Sequence, residues 1–226
     1  MDISINNGVC KVISGAGRRV RYTTEEALGL ALLRLNPETS RAQVEIHWSD
    51  YLAGRGVAVA LSGDRILTLL VCPELVRTVV YHNGTNRQTF NVKFPPLLLA
   101  TAFKAQQLIK AQLWVVKPSL EHQLSTSSET PALCYFPYGN VYGHGGICWG
   151  STSIKDLRTP DEVLAAFFGS GFNGDLYEPG PLGERGGLLD LLTRTSTTGG
   201  VLPLMREQSF TKSVSAVAQD INRVSA

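Results

Sequence analysis

Between residue 41 and about residue 116 the chain breaks into short runs rich in β-branched and aromatic residues, with turn-forming residues between them, and this restricts the fold more than any other feature. The runs are 43–48, 56–61, 65–72, 76–82 and 89–94. Ser62-Gly63-Asp64 and Asn83-Gly84 separate two pairs of them with residues that tolerate positive φ, so the flanking strands can double back as antiparallel hairpins. Pro95-Pro96 then removes two successive amide donors and interrupts the ladder. Beyond it, residues 97–109 fit either a helix or another irregular strand pair, and residues 112–116 fit a strand. The expectation is an antiparallel β-meander.

Helical signals lie on both sides of this block. Thr23-Thr24-Glu25-Glu26 offers capping hydroxyls ahead of Ala27, Leu28, Leu30, Ala31, Leu32, Leu33 and Leu35, and Asn36-Pro37 would end such a helix. Its apolar residues cover more than one face, so residues 24–35 should dock on the domain. Residues 119–131 are polar and contain Ser125-Thr126-Ser127-Ser128, as an exposed loop would. Thr159-Pro160-Asp161-Glu162 joins a cap, a proline at the first helical position and early acidic side chains to an apolar face of Val163, Leu164, Phe167 and Phe168. Residues 169–187 are rich in glycine and proline. In the tail, Phe210, Val214, Val217, Ile221 and Val224 recur at intervals of four and three, the period of an amphipathic helix. The fold class expected is α+β, with an N-terminal extension carrying a helix (1–40), a core (41–175), and a Gly/Pro-rich segment with a C-terminal helix (176–226).

At 226 residues, 43% of them hydrophobic and 18% charged, the chain is long and apolar enough to bury a real core as one domain with decorated ends. A net charge of +2 is too small to indicate nucleic acid, and Arg18, Arg19 and Arg21 read as a solvated edge. No apolar run reaches the roughly 18 residues that span a bilayer, and Met1-Asp2-Ile3-Ser4 lacks the basic-then-apolar order of a secretion signal. No membrane partner and a cytoplasmic location are therefore expected. The four cysteines, Cys10, Cys72, Cys134 and Cys148, are not at metal-ligand spacing. Each is then a reduced thiol, serving as a small buried hydrophobe or as a nucleophile, with no metal and no cofactor.

Cys148 is the candidate nucleophile, because it ends a polar, glycine-dense stretch, Asn140-Val141-Tyr142-Gly143-His144-Gly145-Gly146-Ile147-Cys148. This stretch resembles the active-site region of ubiquitin-conjugating enzymes, which reads His-Pro-Asn, a hydrophobic residue, a turn containing glycine, a hydrophobic residue and the catalytic cysteine. Asn140 stands at the family's spacing from Cys148, with Val141, Gly145 and Ile147 in the matching places. Pro95-Pro96-Leu97-Leu98-Leu99, Asn140-Val141-Tyr142 and Cys148-Trp149-Gly150 bring the chain closer to the bacterial ubiquitin-conjugating-like enzymes of prokaryotic ubiquitin-conjugating family D, the PRTRC system protein B-like group. The likeness runs over residues 42–175. Tyr138-Gly139 stands where the wider family has His-Pro, and Trp149-Gly150 where it has Leu-Asp.

The resemblance implies a ubiquitin-conjugating-like fold with an N-terminal helix, an antiparallel β-meander, an active-site Cys loop and C-terminal helices. It also implies a transferase that takes a ubiquitin-like protein from an adenylating activating enzyme as a thioester on Cys148 and passes it to an amine or hydroxyl. ATP and magnesium would act on the activating enzyme, and a deconjugating metalloprotease encoded nearby is a further implied partner. The implied setting is a bacterial conjugation operon serving phage defence or plasmid maintenance. In such enzymes the residue matching Asn140 either stabilises the oxyanion or holds the active-site loop.

The chemistry suits these residue types. A thioester carrier needs an exposed thiol that is both nucleophile and leaving group, and flanking glycines leave room for an extended peptide to approach the backbone. Tyr142, His144 and Ser151 are candidates for support, the last as an alternative acyl acceptor. Two other functions stay open: a cysteine hydrolase pairing Cys148 with His82, His122 or His144, and a non-catalytic module that binds a ubiquitin-like protein.

Overall fold

A computed structural model describes residues 2–6, 9–13, 19–22, 49–52, 55–62, 65–116, 132–204 and 211–223. The helix expected at 24–35, the strand expected at 43–48, the loop expected at 119–131, His122, Phe210 and Val224 lie outside the described residues. Near the N-terminus β1 (Asp2–Asn6), β2 (Val9–Ile13) and β3 (Arg19–Tyr22) form an antiparallel sheet of their own. Only a helix was expected in residues 1–40. The hairpin signal for β1 and β2 is Asn7-Gly8, set between an alternating run and a mostly apolar one.

The main sheet has seven strands: β4 (Ser49–Leu52), β5 (Arg55–Ser62), β6 (Arg65–Cys72), β9 (Leu97–Lys104), β10 (Gln107–Val116), β11 (Ala132–Cys134) and β13 (Thr211–Ser213). Their order is β13-β11-β10-β9-β6-β5-β4, and every neighbouring pair is antiparallel. The expected strands at 56–61, 65–72, 76–82 and 89–94 are all present, and so are the two expected hairpins. A simple meander is not. β7 (Leu75–Asn83) and β8 (Asn86–Phe94) leave the main sheet and pair with each other, with β12 (Gly171–Phe172) running parallel to β7. β6 pairs instead with β9, Cys72 opposite Leu97. Prolines mark both the exit, at Pro73, and the return, at Pro95-Pro96, because a residue without an N–H cannot extend a ladder. The freed carbonyl of Pro96 accepts from the Val116 amide at 2.8 Å.

Residues 97–109 settle as β9 and the start of β10, which pair side by side as an antiparallel hairpin. From Leu97 to Phe103 every side chain is buried, since the sheet is covered on both faces. One face meets the β7–β8 hairpin and two helices, α1 (Pro160–Gly169) and α3 (Leu188–Thr198), through Leu97, Leu99, Phe103, Leu113 and Val115. The other, with Leu98, Ala100, Ala102, Trp114 and Val116, meets α4 (Val214–Asn222). A four-residue helix, α2 (Pro179–Leu182), lies between α1 and α3.

α1 begins as its sequence signals indicate. The Thr159 hydroxyl accepts from the Glu162 amide at 3.2 Å and Glu162 Oε2 accepts from the Thr159 amide at 3.1 Å, while Val163, Leu164, Phe167 and Phe168 are buried. α4 likewise buries Val214, Val217 and Ile221. α3 was not foreseen in the 176–226 segment. Leu188, Leu191, Leu192 and Thr195 carry its helical spacing, but the threonine-rich second half has low helix propensity. The fold class is α+β, and residues 176–226 contribute to both cores that flank the main sheet.

Candidate active site

The segment leading to Cys148 is rooted in aromatic packing. Phe136 stacks on Phe94 with ring centroids 6.2 Å apart and meets Tyr138 and Phe167 edge-on at 4.9 and 5.6 Å. The Tyr138 hydroxyl donates to Pro203 O at 2.7 Å, and the Tyr135 hydroxyl to Val141 O at 3.3 Å. Burial, then the charge of Glu178 and a hydrogen bond to it, push the Tyr135 phenol up to about 12. Burial pushes Tyr138 up too, with Cys134 as the lesser cause.

From Asn140 to Cys148 the chain forms a narrow hairpin. The Cys148 amide donates to Asn140 O at 2.8 Å, Val141 bridges Ile147, and the Tyr142 amide donates to Gly146 O at 2.9 Å. A bond of 2.7 Å from the Gly145 amide to Tyr142 O closes the turn. The pleat alternates side chains, so Val141 and Ile147 enter the core while Tyr142 and Cys148 face outward together. The hairpin lies against β10: Leu113 N donates to Gly145 O at 2.9 Å and Ile147 N to Ala111 O at 3.3 Å.

Two residues make this path possible. Gly145 has φ +86°, and a Cβ there would fall 2.4 Å from the Trp114 ring, so only glycine fits the close approach. Asn140 has φ +58°, a left-handed conformation that asparagine tolerates better than most residues. Its side-chain amide donates to Gly171 O at 2.9 Å and to Ser170 Oγ at 3.4 Å, and the residue is only 7% exposed. Both amide hydrogens thus tie the hairpin to the end of α1 and the start of β12. Of the two roles open to Asn140, loop-holding is the one this geometry favours.

Of the three cysteines whose side chains are described, Cys72 and Cys134 are buried and Cys148 is partly exposed. The Tyr142 hydroxyl donates to Cys148 Sγ at 3.5 Å. That hydrogen bond, the charge the sulfur can carry and a little desolvation, in that order, raise the Tyr142 phenol above its ordinary value. The exposed Tyr142 ring stacks on His144, with centroids 5.6 Å apart and planes 7° from parallel. His144 therefore borders the site through Tyr142. Ser151 is exposed in the next turn, which the Thr152 amide closes on Trp149 O at 2.8 Å. His82 lies elsewhere, over Gly171, where a Cβ would come within 2.7 Å of its Nε2. Among the described residues no imidazole hydrogen-bonds the sulfur.

Sequence reasoning missed the residues that support the site from a distance. Trp114, Ser170 and Gly171 have no local signal of a role, because each acts through a contact with a residue about thirty positions away. Among the described residues no group of three or more His, Cys, Asp or Glu could hold a metal, and no helix is long and apolar enough to cross a membrane.

Fold and site together define an α+β protein that presents a partly accessible thiol, with a phenol beside it, on a braced β-hairpin. Compared with family models, with curated proteins and with solved structures, the chain matches none.

Proposed function

We propose that the chain is a ubiquitin-conjugating-like transferase, built on a variant of that fold, which carries a ubiquitin-like protein as a thioester on Cys148. The observation that carries this reading is that the Asn140-to-Cys148 stretch folds as a braced hairpin and turns its cysteine outward, while Cys72 and Cys134 are buried. A carrier must accept an acyl group from one large protein and surrender it to another, which requires an accessible sulfur on a rigid support.

In the loading step the Cys148 thiolate attacks the thioester of the activating enzyme, the carbonyl re-forms and the enzyme's thiolate leaves. In the transfer step a target amine or hydroxyl attacks the new thioester and Cys148 leaves as thiolate. ATP and magnesium act on the activating enzyme. The partners proposed are that enzyme, the ubiquitin-like protein and a deconjugating metalloprotease, in a bacterial system of phage defence. A cysteine hydrolase fits less well, because among the described residues the side chain that hydrogen-bonds the sulfur is a phenol and not an imidazole.

The test is incubation with the activating enzyme, the ubiquitin-like protein and ATP, read by intact mass and non-reducing gel. The expected result is a single adduct that excess thiol removes and Cys148→Ala abolishes. An adduct that resists thiol but yields to mild base moves the acceptor to Ser151. Unchanged function of Cys148→Ala in the host would instead identify a binding module.

A further inference from the structure

We propose that the Tyr142 hydroxyl, and not the Asn140 amide, is the donor that stabilises the oxyanion when an acyl group leaves Cys148; this rests on the acyl-carrier reading above. Two observations on the hairpin carry it. The Asn140 Nδ2 hydrogens are taken by Gly171 O at 2.9 Å and Ser170 Oγ at 3.4 Å, in a residue that is 7% exposed. Turning that amide toward the sulfur would break both the buried bond to Ser170 Oγ and the part-buried bond to Gly171 O, which is costly. Tyr142, by contrast, is 43% exposed, projects from the same face as Cys148 and already donates to Sγ at 3.5 Å.

The geometry changes usefully on acylation. A thioester sulfur is a poor acceptor, and its carbonyl oxygen lies only two bonds beyond it. A donor now aimed at Sγ can therefore turn to that oxygen with a small rotation of the side chain. The His144 ring, stacked on Tyr142, limits how far the phenol can swing away. When an amine attacks the carbonyl carbon, the π pair moves to oxygen and Tyr142 O–H donates to it. The carbonyl then re-forms, the C–S bond breaks and its electron pair leaves with sulfur. The amine's surplus proton goes to water, and the phenol returns to the thiolate. Tyr142 keeps its own proton throughout, in line with a phenol raised above its ordinary value.

The test separates this idea from the carrier reading by installing the thioester chemically. A short peptide thiophenyl thioester is exchanged onto Cys148, the site is confirmed by peptide mass, and release to hydroxylamine and to lysine is timed. Tyr142→Phe keeps the ring and its stack while removing the donor. It is expected to slow release about tenfold to a hundredfold, at or below the lower end of what a buried oxyanion donor is worth, because this phenol faces water. Asn140→Gly, which retains the left-handed backbone but loses the tether, is expected to slow release less than Tyr142→Phe does while unfolding more easily. Release by Tyr142→Phe within about twofold of wild type overturns the proposal, as does a large loss confined to Asn140→Gly. Failure to load from an activating enzyme counts against the carrier function alone, since the installed thioester needs no such enzyme.

Discussion

Gly145 is the residue on which the position of the thiol depends most directly. Its φ of +86° and the 2.4 Å that would separate a Cβ from the Trp114 ring mean that any side chain must move either the hairpin or the indole. Gly145→Ala is expected to cost about 2–4 kcal/mol, through overpacking and a disfavoured φ, as read from the denaturant midpoint. Asn140 separates backbone from side chain. Asn140→Ala should lose about 2–3 kcal/mol, from left-handed strain plus the tether to Gly171, and Asn140→Gly only about 1 kcal/mol, from the tether alone. Equal losses in the two variants would contradict the backbone argument. The resemblance to the active-site pattern of ubiquitin-conjugating enzymes picked out Asn140, Gly145 and Cys148 as candidates. It was silent on what Asn140 and Gly145 touch, because Ser170, Gly171 and Trp114 are remote in sequence.

Elements with local signals were legible, and elements defined by their surroundings were not. α1 was readable because its start is chemical: a threonine cap, a proline and a glutamate at fixed spacing. Thr159→Ala should therefore destabilise the chain by about 1 kcal/mol in equilibrium unfolding, and Thr159→Ser by much less. β9 was ambiguous because a strand buried on both faces shows no alternation, so Leu97 to Phe103 reads as an apolar run of either type. α4 is what buries the second face. Lys110 Nζ donates to Asp220 O at 2.6 Å, and Lys212, paired with Asp220, lies 5.4 Å over the Trp114 ring that underlies Gly145. Ile221→Ala, at a fully buried position of this helix, should cost about 2–4 kcal/mol in thermal or denaturant unfolding. A loss well under 1 kcal/mol would mean that α4 contributes little to covering the sheet.

At the scale of the whole molecule, the burial that seats the hairpin also sets its response to alkali. Tyr135 moves from about 10 to about 12, and Tyr138 moves the same way. An unfolded chain releases these phenolic protons first, so above pH 10 the folded state holds more protons and stability falls as pH rises. Their contribution is complete below about pH 10 and that of Tyr135 is lost by about pH 12, which a series of denaturant midpoints with tyrosinate absorbance measures. Midpoints that stay level through that window would show these phenols to be in contact with water. Fold-wide packing should likewise spare Cys72 and Cys134 from alkylation until the chain unfolds, while Cys148 reacts in the native state. From the sequence alone came the α+β class, most strands of the central block, the start and buried face of α1 and the buried face of α4, since propensity, turn chemistry and period act between near neighbours. Only tertiary structure decided that β6 passes over its sequence neighbour to pair with β9, that Asn140 is tied to residues 170–171, and that the phenol of Tyr142 reaches the sulfur. Those outcomes depend on which surfaces meet when two faces of one sheet are covered at once, and no local stretch of sequence contains that information.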